Sequence, residues 1–152
     1  MNIYMGQMIN LMKEVMEEVD VAIKEGNPPF AAFLLDKKGN VIYKAHNTCN
    51  TDIDPTAHAE MKVIKKACKD LEIKDLSDYV LITNVSSCSM CFSAAIKANI
   101  TNFIFGTESE PTMDPNISIL DMKEKCRNEI NIISGILANE CRKQIKEAKY
   151  KN

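Results

Sequence analysis

Neither sign of charge dominates this chain: 19 lysines and arginines face 21 aspartates and glutamates, leaving −2 at neutral pH. The strongly basic footprint of a nucleic-acid binder is therefore missing. The basic residues that do gather, Arg142-Lys143, Lys146, Lys149 and Lys151, alternate with Glu140 and Glu147 and read as a solvated helix face. Long apolar runs are missing too. Met1 to Val21 is rich in methionine but carries Lys13, Glu14, Glu17, Glu18 and Asp20, which excludes a signal-peptide core or a membrane span there. No repeat, linker or low-complexity segment occurs, so the 152 residues are expected to form one domain, 1–152, with a real core. Six cysteines without a secretory signal point to a reducing compartment, and a cytoplasmic location is expected. Histidine is scarce, with only two in the chain, so the company each keeps is informative.

One histidine stands in Asp54-Pro55-Thr56-Ala57-His58-Ala59-Glu60, and Cys88-Ser89-Met90-Cys91 follows further on. His58, Cys88 and Cys91 offer three ligands, the number a catalytic zinc site uses while its fourth position stays open for water. A structural site would need a fourth Cys or His at similar spacing, and none accompanies them. Zinc lowers the pKa of a bound water towards neutrality, providing a nucleophile for an amidine-like ring carbon that bears an amine. The amine leaves only once protonated, so a nearby carboxylic acid must carry a proton from water to the ring and then to the amine. Glu60, two residues from His58, is placed for that shuttle without binding the metal. Singly these triplets are weak: an H-x-E commonly sits on a solvated helix face, and a C-x-x-C can be a redox pair. Together and in this order they are specific. His46 is isolated and reads as a surface or strand residue.

The apolar positions Met5, Met8, Ile9, Met12, Val15, Met16, Val19 and Ile23 predict an amphipathic helix over Met5 to Lys24, stopped by Gly26-Asn27-Pro28-Pro29. Phe30 to Leu35 reads as a central strand, Asp36 to Asn40 as a turn, and Val41 to Ala45 as the second strand of a hairpin. His46 to Pro55 is a polar loop. Thr56 is the expected N-cap of a helix over Ala57 to Asp70, with Met61, Ile64, Ala67, Cys68 and Leu71 facing the core. Tyr79 to Thr83 is the third strand, and Ser86 or Ser87 is expected to cap a helix over Cys88 to Ala98. Both ligand motifs then lie at helix N-termini, where partial positive charge stabilises thiolates and developing oxyanions. Asn102 to Gly106 reads as a strand, 117–127 as a helix, Glu129 to Ser134 as a fifth strand and Ile136 to Tyr150 as a closing helix. A helix between two strands implies a parallel crossover. The expected fold is α/β, a mixed five-stranded sheet sandwiched by helices. Cys49, Cys68, Cys126 and Cys141 show no ligand spacing and are expected to be buried thiols.

The His-x-Glu followed by Cys-x-x-Cys, within Pro-Thr-Ala-His-Ala-Glu and Cys-Ser-Met-Cys, resembles the cytidine/deoxycytidylate deaminase superfamily, in particular its guanine, cytosine and tRNA-adenosine deaminase branch. The resemblance runs from about Phe30 to about Gly106. It implies the cytidine deaminase-like three-layer αβα sandwich, Zn²⁺ on His58, Cys88 and Cys91, and Glu60 as the proton shuttle. It also implies that Asn47, eleven residues before His58, holds the base edge, as suits an amide that can donate and accept at once. Phe30, in Pro-Phe-Ala-Ala, is similar to the Pro-Phe-Gly-Ala of free-base deaminases and is expected to flank the ring. The N–H groups of Ala59 and Cys88 are further candidate contacts. Relatives carry Glu-Pro before the first cysteine, where this chain has Ser86-Ser87, so a different pocket rim is expected. Purine deaminases place an acidic residue in the segment spanning Glu108 to Asp121; Asp114 and Asp121 are the candidates here.

Three functions follow. The first is hydrolytic deamination of a free aminated base or small nucleoside, guanine foremost, by a protein expected to be a homodimer without nucleic-acid or membrane partners. The second is a tRNA adenosine deaminase, to whose C-terminal stretch Ile136-Leu137-Ala138-Asn139-Glu140-Cys141 is similar. The third is a non-catalytic zinc-binding homologue. Retention of Glu60 argues against it, since a merely structural metal site does not need that acid.

Overall fold

The computed structural model describes residues 1–110 and 117–151. Two strands, β1 (Ala31–Asp36) and β2 (Val41–His46), form the hairpin, closed by Asp36, whose Oδ1 accepts from the backbone N–H of Lys38 and of Asn40, both at 2.9 Å. Three more, β3 (Tyr79–Val85), β4 (Asn102–Thr107) and β5 (Asn131–Ile133), complete a sheet of order β2-β1-β3-β4-β5. β1 is antiparallel to both of its neighbours, whereas β3, β4 and β5 run parallel. Parallel neighbours need a crossover. α4 (Ser89–Lys97) makes the first, and α5 (Ile119–Lys125) lies in the second.

Period-two alternation explains why the strands read as continuous apolar runs. Ala31, Phe33, Leu35, Val80, Ile82 and Ile104 face one layer, made by α1 (Met5–Lys24) and the start of α6 (Ala138–Glu147). Ala32, Leu34, Leu81, Phe103 and Phe105 face the other, with α4 and α3 (Ala59–Leu71). Phe92 of α4 packs on Phe103 with ring centroids 5.0 Å apart. The three-layer expectation holds.

Several local expectations do not. Thr56 is not the cap of α3: its N–H and hydroxyl both bond Asp54 Oδ1, at 2.8 and 2.7 Å, and that turn delays the helix until His58 is its N-cap residue. Neither Ser86 nor Ser87 caps α4, because Cys88 occupies the N-cap position. The buried face of α3 is Ala59, Glu60, Val63 and Ala67; as expected, Ala67 is buried and Ile64 and Cys68 pack half-buried against the core, whereas Met61 is only half-buried and Leu71 is exposed. Small alanines let the helix approach the sheet, and the turn that delays its start sets which face does so. In α1, likewise, Leu11 and Ala22 are buried and Met5 is exposed. Of the non-ligand cysteines only Cys141 is buried; Cys49, Cys68 and Cys126 are half-buried. The polar loop after β2 contains a short helix, α2 (Cys49–Asp52).

Cys141 marks a tight place. A Cβ on Gly106 would lie 2.5 Å from the Asn84 carbonyl oxygen and 2.6 Å from Cys141 Sγ. Gly106→Ala is expected to cost about 1–3 kcal/mol through overpacking. The check is a lower urea midpoint with an unchanged slope of the transition.

Candidate active site

Antiparallel β1 brings its own start to the same end of the sheet as the ends of β2, β3 and β4. Phe30 precedes β1, Asn47 follows β2, Ser86 to Cys88 follow β3 and Ser109 lies beyond β4. Crevices at the carboxyl ends of strands are where open α/β sheets bind ligands. Here α3 and α4 arrive with their N-termini. His58 and Cys88, their N-cap residues, share nearly one backbone conformation: φ is −70° in both, and ψ is 149° and 168°. Neither side chain caps its own helix. His58 Nδ1 lies 3.5 Å from Cys88 Sγ and 3.4 Å from Cys91 Sγ, and the three ligand atoms lie within 4.8 Å of one another.

Zinc fits this set. With bonds of about 2.0–2.1 Å to nitrogen and 2.3 Å to sulfur, tetrahedral ligands sit roughly 3.6 Å apart. The sulfurs are prepared for it as well. A hydrogen bond with Cys91 holds Cys88 down to about 4, His58 helping and burial opposing. The same bond, then burial, pushes Cys91 far up. A divalent ion held by both sulfurs would bind them as thiolates and displace their protons.

Glu60, in the first turn of α3, is buried. Desolvation raises its pKa, and the negative charge of Cys88 raises it further. Ser87 lies beside the carboxylate and slightly offsets this, but its hydroxyl is outside hydrogen-bonding geometry and has no partner among the described residues. A small pocket is lined by Phe30, Asn47, His58, Glu60, Val85, Ser86, Cys88 and Ser109. Residues 5–107 match the profile of the cytidine and deoxycytidylate deaminase zinc-binding region.

The chain belongs to that family. Like other members, this deaminase is a zinc-dependent hydrolase of C–N bonds. It is 31% identical over 131 residues to a tRNA-specific adenosine deaminase of Bacillus subtilis, covering 86% of this chain and 81% of that one. It is 44% identical over 66 residues to the guanine deaminase of the same organism, covering 43% of this chain and 42% of that one. Among solved structures, one from a study of A-to-I editing by tRNA:A34 deaminases superposes with a TM-score of 0.76 at 25% identity, over 88% of this chain and 96% of that one.

Of the expected residues of the deaminase, Phe30, Asn47, His58, Glu60 and Cys88 line this pocket, Cys91 stands against His58, and Ala59 is not in the lining. Asp121 lines a separate cleft, and Asp114 lies outside the described residues. Asn47 is buried, and its Oδ1 accepts from Cys49 N–H at 2.8 Å, which fixes the orientation of the amide. His46 is the last residue of β2, in line with its reading as a strand residue, and its ring bonds Glu18 Oε1 at 2.8 Å and Glu25 Oε2 at 2.7 Å, tying the end of β2 to the end of α1 just before Asn47. Two buried asparagines escaped the sequence reading. Asn84 Oδ1 accepts from Ala31 N–H and its amide donates to the Pro29 carbonyl, both at 3.0 Å, so it sets the segment that carries Phe30. Asn27 Oδ1 accepts from Asn50 and Thr51 N–H, both at 3.0 Å, holding α2 against the end of α1. An asparagine inside an otherwise apolar strand was the available signal for Asn84.

Proposed function

We propose that this deaminase hydrolyses the exocyclic amine of a purine delivered as a small molecule, with guanine as the first ring to test. The observation that carries the reading is a buried carboxylic acid, Glu60, sharing one small pocket with the His58–Cys88–Cys91 cluster and the fixed amide of Asn47. Purines are favoured because the relatives named above are described as adenosine and guanine deaminases.

Zinc, when held by His58, Cys88 and Cys91, makes water acidic enough to be a nucleophile near neutral pH. The protein supplies the rest. The Glu60 carboxylate accepts a proton from the attacking water and delivers it to the ring nitrogen. It then takes the remaining proton of the added hydroxyl and delivers it to the amine; the C–N bond breaks, a C=O bond remains and ammonia leaves. Its raised pKa suits a group that must both take and give protons. Asn47, with Oδ1 engaged by Cys49, offers its N–H₂ to the ring edge. Phe30 supplies an apolar wall, and the Ala59 N–H, in the first turn of α3 where no intrahelical acceptor exists, would donate to the substrate.

A tRNA substrate is the second reading, favoured by the relatives and by Lys44, Lys62, Lys65, Lys66 and Lys69 in one surface groove. That groove also holds Glu18, Asp52, Asp54 and Asp70, and Lys66 is paired with Asp70 at 2.9 Å, so its net field is weak. Ammonia release from guanine, adenine, cytosine, their nucleosides, deoxycytidylate and a tRNA anticodon stem-loop decides between them. Turnover of the free purines or nucleosides is expected. Activity confined to the stem-loop and falling steeply with salt would replace this reading with the second.

A further inference from the structure

The pocket lined by Glu60, His58, Asn47 and their neighbours is small, about 50 Å³. Binding sites for small organic molecules typically offer about 300–1,000 Å³. The reacting edge of a ring enters here, and the rest of the molecule must lie elsewhere. Ser86 and Ser109 line this pocket and also a second, much larger cleft of about 430 Å³. Ser109 N–H donates to Ser86 Oγ at 2.9 Å, and the two hydroxyls lie 3.3 Å apart. Two small side chains are thus shared by both spaces, at their junction.

The chemistry of the cleft says what fits it. Phe105, Ile132 and Leu120 give it apolar surface, while Glu108, Glu110 and Asp121 bring three carboxylates. None of the three is in an ion pair among the described residues, and no lysine or arginine is in the cleft's lining. Ser87, 1% exposed, also lines the cleft, and its hydroxyl has no hydrogen-bond partner among the described residues. A buried hydroxyl left unpaired is unfavourable and calls for a partner.

Resting on the purine deaminase reading, we infer that this cleft seats an uncharged, hydroxyl-rich group attached to the reacting ring. The substrate is then a purine nucleoside, in preference to the bare base or a phosphate-bearing form. Sugar hydroxyls donate to Glu108 and Asp121 and can pair with Ser87, while the apolar walls meet the C–H faces of the sugar. A phosphate would meet three like charges with no cation to offset them.

The test uses the zinc-loaded full-length protein with guanine, guanosine and guanosine 5′-monophosphate, and with the corresponding adenine set. For at least one ring, kcat/KM is expected to be tenfold or more higher for the nucleoside than for the base or the monophosphate. Leu120→Trp, at an exposed position of the cleft, should lower the nucleoside-to-base ratio at least fivefold. Glu108→Lys combined with Asp121→Lys should raise the monophosphate-to-nucleoside ratio at least tenfold. Base and nucleoside used equally, with ratios that neither variant moves, would overturn the inference, as would a native preference for the monophosphate. If no compound releases ammonia, the deaminase reading fails, and calorimetric titration with guanosine and adenosine still judges the cleft. Nucleoside binding weakened by Leu120→Trp supports it, and no binding to the native protein overturns it.

Discussion

Glu60→Gln is expected to keep its zinc and its fold and to lose turnover by about 10²–10⁴-fold, the usual worth of general acid–base catalysis. The amide nearly matches the carboxylate in size, so the buried position in α3 stays filled. What disappears is a group able to take a proton from water and return it to nitrogen. Because the native acid already sits in a desolvated place, replacing it with a neutral amide removes an unfavourable charge, and thermal stability should not fall. Single-turnover ammonia release measured beside metal content separates the two effects. Near-native release from a fully metallated Gln variant would mean that another group moves the proton.

Cys91→Ala is expected to act earlier, on the metal itself. Cys91 is wholly buried, and its sulfur stands 3.4 Å from His58 Nδ1. Two remaining ligands do not make a closed protein set for zinc, which takes three in catalytic sites. Bound zinc should drop from about one per chain to a small fraction, with activity below detection. Stability should fall as well, since any ligand held only by the folded state adds RT ln(1 + [L]/Kd) to it. Metal analysis and melting curves with and without chelator read both effects. Full zinc in both Cys88→Ala and Cys91→Ala would remove these two sulfurs from the ligand set.

The ligand residues and the core strands were legible in the sequence for related reasons. Few side chains bind zinc, and two of them three residues apart at a helix start share a face. Strands buried on both sides leave unbroken apolar runs such as Ala31 to Leu35 and Val80 to Ile82. Other features depended on partners distant in the chain. Asn84 bonds backbone atoms 53 and 55 residues away, and nothing near it in sequence announces Pro29 or Ala31. Helix starts were misplaced because local competition decided them: Asp54 captured Thr56, and the cap passed to His58. The cleft beyond Ser86 and Ser109 is built from β4, β5, α5 and the segment after β3 together, and no local pattern encodes a void.

The placement of His58 and Cys88 as the residues that open α3 and α4 bears on electrophilicity. Two thiolates formally cancel the double charge of a zinc ion, which by itself would blunt its pull on an oxygen lone pair. Each helix start contributes roughly half a positive elementary charge from N–H groups that have no acceptor within the helix. Two such starts meeting at one point return about one unit of positive potential to the centre. The fold thereby lets the protein use sulfur for tight, selective metal retention while keeping the Lewis acidity that a sulfur-rich ligand set would otherwise forfeit.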